Sequence, residues 1–97
     1  MGELEFHRFA DHELNEAGQY YEREEAGLGA AFLQEIDRTL QFIQAHPEAG
    51  TILRGDVRRR IVRRFPYALL YKINPTGVRV LAVMNLRRRP MYWVGRE

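Results

Sequence analysis

The sequence predicts an α+β fold of order β-α-α-β-β-β, in which a two-helix hairpin packs on an antiparallel sheet. Two observations carry this prediction. Apolar residues recur at helical spacing between residues 10 and 46, and the period then changes to two in the arginine-rich second half. The length of 97 residues suits one domain, spanning residues 1–97, with a modest core.

The first strand and the first helix follow one another directly. Residues 4–9, LEFHRF, predict a short strand. Asp11 is predicted as the N-cap of the helix, because Glu13 and Glu16 then lie near its positive end. The predicted apolar face of this helix comprises Leu14, Ala17, Gly18 and Tyr21.

The second helix is bounded by glycine and proline. Gly27 is predicted at the C′ position of the first helix, so the second begins near Leu28 or Gly29. It ends around Ala45–His46, because Pro47 disfavours helical geometry in the residue before it. Its predicted buried stripe comprises Phe32, Leu33, Ile36, Leu40 and Ile43.

The second half predicts a three-stranded meander, with the first strand added at one edge. Residues 57–65 alternate imperfectly, and Pro66 predicts a bend after them. Tyr67 to Ile73 is strongly β-prone, and Asn74 to Gly77 (NPTG) predicts a turn. Val78 to Leu86 is apolar on both parities, which indicates a central strand buried on both faces.

Charge divides the chain into two halves. Residues 1–49 carry three arginines and eleven acids, a net −8, whereas residues 50–97 carry eleven arginines, one lysine and two acids, a net +10. Eight of these arginines lie in VRRRIVRRF and LRRRPMYW. This asymmetry predicts a basic face that binds an anionic partner. Cysteine is absent and no apolar run could span a bilayer, which fits a cytoplasmic protein.

Motifs for cofactors and common catalytic groups are absent. His7, His12 and His46 match no metal-ligand spacing, so we expect no metal site. GLGAAF follows a helix instead of a strand, and the context for a phosphate-binding loop is missing. The chain has neither serine nor cysteine as a nucleophile. No cofactor is therefore expected.

RNA cleavage needs an acid, a base and cations around the phosphate. The basic half supplies cations but no histidine, so Tyr92 is its best-placed candidate acid–base group. A more ordinary role for Tyr92 is to fasten the C-terminal segment together with Trp93. Tyr67 and Tyr71 are predicted on the same face of their strand as apolar neighbours, which favours a place in the core.

The order of motifs resembles the RelE/ParE superfamily of toxins from bacterial type II toxin–antitoxin modules, the ParE branch in particular. The resemblance covers nearly the whole chain. It rests on Pro47 and Gly50 after the second helix, on Arg58, on RFPYALLY (Arg64 to Tyr71) and on the closing RRRPMYW (Arg87 to Trp93).

The resemblance implies a toxin that a cognate antitoxin, ParD-like or another small DNA-binding protein, neutralises in a hetero-oligomer. ParE-like members inhibit DNA gyrase and so block replication and growth, and they are not enzymes. RelE-like members cleave mRNA on the ribosome. The residues that the resemblance suggests for partner binding are Arg58, Arg60, Arg64, Arg87, Arg88, Tyr92 and Trp93.

Three functions stay open at this point. A ParE-like gyrase inhibitor is favoured, because Asn85 stands where many relatives carry histidine and Lys72 is the single lysine. A RelE-like endoribonuclease is the alternative, and it would use Arg58, Arg88 and Tyr92 as catalytic residues. A small basic domain that binds nucleic acid directly is the third.

The arginines are not expected to form one site. Strand alternation places Arg58, Arg60 and Arg64 away from Arg59 and Arg63. We also expect the fastened C-terminal segment to bring Arg88 near Arg58, with a carboxylate of the antitoxin as the first ligand of that pair.

Overall fold

The computed structural model describes residues 2–96. Their helices and strands follow in the order β1 (Glu3–Phe6), α1 (Arg8–Glu24), α2 (Leu28–Ala45), β2 (Thr51–Arg54), β3 (Val57–Ile61), β4 (Tyr67–Asn74) and β5 (Gly77–Asn85), with a 3₁₀ turn at Pro47–Ala49. The α+β fold with a helical hairpin and a sheet is confirmed. Within this range, no helix is long and apolar enough to cross a membrane.

The sheet has five strands in the order β1-β5-β4-β3-β2. β1 adds to the edge of β5 in parallel, and the other pairings are antiparallel. As predicted, β5 lies inside the sheet and is largely buried. The turn before β5 is also confirmed, because Asn74 pairs with Gly77 and Gly77 has a φ of 153°.

β2 was not predicted. It is four residues long, its pairing with β3 has an irregularity between Ile52 and Arg54, and three of its residues are exposed. Such a short, exposed edge strand has no alternating pattern to reveal it. β3 is shorter than expected and ends at Ile61, because Arg64 takes a left-handed backbone with a φ of 71° just before Pro66.

The start of α1 corrects the sequence prediction. His7 is the N-cap, not Asp11, and its Nδ1 accepts a hydrogen bond from the backbone N–H of Phe9 at 3.1 Å. Asp11 already belongs to the helix, because its N–H donates to the carbonyl oxygen of His7. Gly27 is likewise the N-cap of α2, in a left-handed conformation with a φ of 88°. α2 ends at Ala45 as predicted.

Each face of the sheet buries its own apolar cluster. The helices cover one face, where Phe32 packs edge-on against Phe65 with ring centroids 5.2 Å apart. The other face buries Val57, Leu70 and Trp93. The C-terminal segment, residues 86–96, thus supplies the large side chain that a second helical layer would otherwise provide.

The spacing of Pro47 and Gly50 is explained locally by Tyr71. Its hydroxyl donates to the carbonyl oxygen of Pro47 at 2.6 Å and accepts from the N–H of Gly50 at 3.1 Å. A Cβ at Gly50 would collide with that hydroxyl. Tyr71 is fully buried, which confirms its place in the core, and its pKa is raised by burial.

The His7 cap predicts a pH-dependent stability. Desolvation, followed by the cations Arg79, Arg96 and Arg8, lowers the pKa of His7 below 6.5, so the cap contributes fully above that pH and is lost as the pH falls. Asparagine also caps helices and does not titrate. We expect wild type to lose about 1 kcal/mol relative to His7→Asn as the pH falls below that value, the typical contribution of an N-cap. Urea unfolding of both proteins above and below pH 6.5 measures this difference in the free energy of unfolding. An identical pH dependence of the two proteins would contradict the prediction.

Candidate functional site

The outer edge of β5 is paired with β1 over only part of its length. The last pair joins Phe6 and Val80, although β5 continues to Asn85. Side chains take over beyond this point. Arg96 donates from Nη1 to the carbonyl oxygen of Leu81 at 3.1 Å, and Oε1 of Glu13 accepts from the N–H of Val83 at 3.0 Å. These side chains provide hydrogen-bond partners for backbone groups at this edge, in place of a further strand.

Glu13 joins α1, β5 and the C-terminal segment through four hydrogen bonds. Arg96 donates from Nη1 to Oε1 at 2.9 Å and from Nη2 to Oε2 at 3.0 Å. The Tyr92 hydroxyl donates to Oε2 at 2.7 Å, and Val83 completes the set. The side chains of Glu13 and Arg96 are only 14% and 12% exposed. We call this arrangement the Glu13 hub; its paired geometry compensates the cost of burying the carboxylate.

Tyr92 is a fastening within this hub. Burial raises the pKa of its hydroxyl, and the hydrogen bond to Glu13 raises it further against the opposing effect of Arg96 and Arg88. The phenol therefore remains protonated at neutral pH and keeps donating to Glu13. The guanidinium of Arg88 lies over its ring, 4.1 Å from the centroid.

Trp93 takes the predicted place of a fastening residue. Its side chain is 1% exposed and belongs to the second apolar cluster. It therefore holds the C-terminal segment to the sheet, as expected together with Tyr92. Its part in partner binding stays a prediction, and its nearly complete burial leaves little surface for a direct contact.

A cleft of about 370 Å³ opens between α1, the end of β5 and the C-terminal segment. Phe9 and Tyr20 border it and keep 47% and 50% of their surface exposed. Large exposed aromatic side chains beside a concavity are typical of surfaces that bind another macromolecule. The lining residues are Phe9, His12, Glu13, Glu16, Ala17, Tyr20, Tyr67, Val83, Asn85, Arg88 and Arg96.

The cleft also joins groups that the sequence keeps apart. His12 and Glu16 from the acidic half contact one another across one helical turn, with both side chains largely exposed. Asn85 and Arg88 from the basic half line the same cleft. The absence of histidine from the basic half therefore does not exclude a titratable base beside its arginines.

The basic residues are divided between two surfaces. Arg58 and Arg60 pair with Tyr71 and Leu69 on the helix-covered face, whereas Arg59 pairs with Leu70 on the other, as alternation predicted. Arg64 reaches Glu35 of α2 at 4.0 Å. Arg87, Arg88 and Arg89 are exposed on the C-terminal segment.

The expected meeting of Arg58 and Arg88 is wrong. Arg58 lies opposite Tyr71, whereas Arg88 follows Asn85, which pairs with Tyr67. Tyr67 and Tyr71 are four strand residues apart, roughly 13 Å along the strand. Tyr92 turns the C-terminal segment toward Glu13, so Arg88 lies by the cleft.

Glu13 and Arg96 were missed as site residues. Glu13 lies three residues after Ala10 and four before Ala17, both buried, so its position on the inner face of α1 could have been read from the spacing. Nothing in the sequence singles out Arg96 from the other arginines. As for metals, no cluster of three or more His, Asp or Glu side chains able to hold an ion occurs within residues 2–96.

The α+β fold is shared with a solved structure. The structure matches a chain described as "Chromosomal ParDE TA system from P. aeruginosa", with a TM-score of 0.70 and 20% sequence identity, over 88% of this chain and 96% of that one. No match was found among curated protein sequences.

The family follows from the sequence match. The model of the family described as "ParE toxin of type II toxin-antitoxin system, parDE" matches residues 4–90. The chain therefore belongs to the ParE toxin family. The matched range ends before Tyr92 and Arg96, so those two partners of Glu13 lie beyond it.

The Glu13 hub predicts a large stability loss when its charge is removed. In Glu13→Gln, Arg96 loses its counterion at a position with little access to water. We expect the free energy of unfolding to fall by about 3 kcal/mol, the lower end of the cost of breaking a buried ion pair. Urea unfolding followed by Trp93 fluorescence measures the loss.

Glu16→Gln is the matched control, because it makes the same substitution one turn further along α1 at an exposed side chain. Its effect should stay within about 0.5 kcal/mol. Equal losses in the two variants would contradict a special role for Glu13.

Proposed function

We propose that this ParE-family chain inhibits DNA gyrase in the cytoplasm, so that replication and growth stop, and that a cognate antitoxin neutralises it. The observation that carries the proposal is the family match over residues 4–90. The solved relative is described as a ParDE toxin–antitoxin system, which supports an antitoxin as the partner.

The cleft beside α1 is the surface best suited to the antitoxin. Phe9 and Tyr20 offer exposed aromatic surface, and Ala17 and Val83 add apolar walls. An amphipathic helix or strand gains most of its affinity from a few apolar anchors placed in such a concavity. Arg88 at its border supplies a cation for an acidic residue of the same segment.

The arrangement of the candidate catalytic residues supports inhibition by binding. Tyr92 donates its proton to Glu13, and its raised pKa keeps it from acting as a base near neutral pH. Arg58 donates to the carbonyl oxygens of Glu48 and Gly50, away from the cleft that Arg88 borders. These three residues therefore do not converge on one reacting group.

An mRNA endoribonuclease is the alternative, and one observation favours it. His12, held by Glu16, lines the same cleft as Arg88 and Asn85. A histidine oriented by a carboxylate can take a proton from an attacking hydroxyl, and a nearby guanidinium can stabilise the developing phosphorane charge. In this alternative His12, not Tyr92, would be the base.

A supercoiling assay tests the proposal directly. We expect the purified chain to inhibit supercoiling of relaxed plasmid by gyrase. His12→Gln should inhibit equally, because the proposed mechanism needs no base. Full gyrase activity at high toxin excess would contradict the proposal. Primer extension on translated mRNA covers the alternative, since cuts that disappear in His12→Gln would establish a nuclease.

The same assay tests the cleft once the product of the adjacent open reading frame is added as antitoxin. Tyr20→Ala should need at least about tenfold more of that product for neutralisation, as expected when an interface anchor is lost. Ile52→Ala removes exposed apolar surface on β2, outside the cleft, and should behave as wild type. Equal effects of both substitutions would place the antitoxin elsewhere.

A further inference from the structure

Four arginines lie where β3 and the loop after it run beside α2 and the 3₁₀ turn that follows it. Arg58 and Arg60 come from β3, Arg64 from the loop and Arg38 from α2. We call this set the arginine seam. Arg64 and Arg38 both form ion pairs with Glu35. Arg60 stacks on Phe42, two helical turns further along α2. The seam therefore runs along the helix and is separate from the cleft.

Arg58 is held in place by the backbone. Its Nη1 donates to the carbonyl oxygens of Glu48 at 2.9 Å and Gly50 at 3.0 Å. Among residues 2–96, its Nε and Nη2 groups donate to no protein acceptor, so they remain available to a ligand. A guanidinium fixed in this way loses little conformational entropy when an anion binds.

Arg60 is fixed by stacking. Its guanidinium lies 3.9 Å from the centroid of the Phe42 ring, which in turn contacts His46 with ring centroids 5.1 Å apart. In the described part of the chain, no carboxylate forms an ion pair with Arg60. One face of its planar group thus rests on an aromatic ring, a position from which the edge can donate to an anion.

Arg64 and Arg38 share a single acid. Nη1 of Arg38 lies 3.1 Å and Nη1 of Arg64 lies 4.0 Å from Oε2 of Glu35. The side chain of Glu35 is only 7% exposed, whereas both arginines are more than half exposed. Arg64 also holds a left-handed backbone with a φ of 71°.

The seam differs from the paired arginines elsewhere in the described chain in how little of its charge is neutralised. Arg79 pairs with Glu5, and Arg96 pairs with Glu13, one acid for each arginine. Along the seam, the buried carboxylate of Glu35 pairs with Arg38 and Arg64, whereas Arg58 and Arg60 form no ion pair with a described residue. Such an uncompensated row in a protein rich in acids elsewhere is the electrostatic feature of a polyanion site.

We propose that the arginine seam binds the phosphodiester backbone of a nucleic acid strand. Arg58 and Arg60 project from the same face of β3, about 7 Å apart, so they can contact successive phosphates. The main apolar group along the seam, Phe42, is covered by Arg60, although Ile52 is exposed opposite Arg58. A protein ligand depends on apolar anchors in a pocket, and the cleft offers those better. The seam offers forked donors suited to phosphate. This activity goes beyond gyrase inhibition and does not depend on it.

Fluorescence anisotropy with a labelled single-stranded DNA tests the proposal. The triple variant Arg58→Gln/Arg60→Gln/Arg64→Gln should bind at least about tenfold more weakly than wild type. The slope of log affinity against log salt should fall by about 2, as expected for three lost contacts to a single strand. Arg64→Gln alone, which changes only an exposed loop side chain, should lower both quantities by a smaller amount.

The matched control is Arg23→Gln/Arg54→Gln/Arg89→Gln, which removes the same charge from exposed positions outside the seam. It should bind within about twofold of wild type and lower the slope by much less than the seam variant. Circular dichroism establishes whether each variant is folded. If the triple variant is unfolded, the comparison of Arg64→Gln with wild type decides the test. Equal losses in the seam and control variants would overturn the proposal. An oligoglutamate peptide of equal charge that displaces the DNA at equal concentration would also overturn it, in favour of an acidic protein segment.

Discussion

The carboxylate of Glu13 is the contact on which the rest of this structure depends. It accepts from the backbone of β5, from Tyr92 and from both terminal nitrogens of Arg96. These donors lie on β5 and on the C-terminal segment, and Glu13 itself lies on α1. One side chain therefore fixes the position of α1 against the sheet and of the C-terminal segment against both. Trp93 can bury itself on the second face because its neighbour Tyr92 is held there.

The same contact separates the two surfaces proposed as binding sites. The Glu13 hub directs Arg88 toward α1 and so places a cation at the border of the cleft. Arg58 and Arg60 lie instead on the side of α2. The cleft combines aromatic surface with mixed charge, which suits a protein segment. The arginine seam combines fixed guanidinium groups with a single buried acid, which suits a polyanion. The overall charge of +2 hides this division.

The helices, the turn before β5 and the burial of β5 could be predicted because each depends on neighbouring residues. Apolar spacing defines α2, and asparagine, proline and glycine define the turn. The missed features depend on distant contacts. Histidine is an uncommon N-cap, so propensity favoured Asp11 over His7. The position of Arg88 depends on how Tyr92 meets Glu13, 79 residues away along the chain.

Native-state hydrogen exchange at the Val83 amide tests most directly whether Glu13 holds α1, β5 and the C-terminal segment together. Val83 lies beyond the end of β1, where strand pairing gives its outward N–H no backbone acceptor, and Glu13 accepts from it instead. If the Glu13 hub persists in solution, this amide should exchange as slowly as those paired inside the sheet, through opening of the whole domain. Exchange at the rate of an exposed edge amide would show that the contact between Glu13 and Val83 is transient and that Glu13 does not fix these elements.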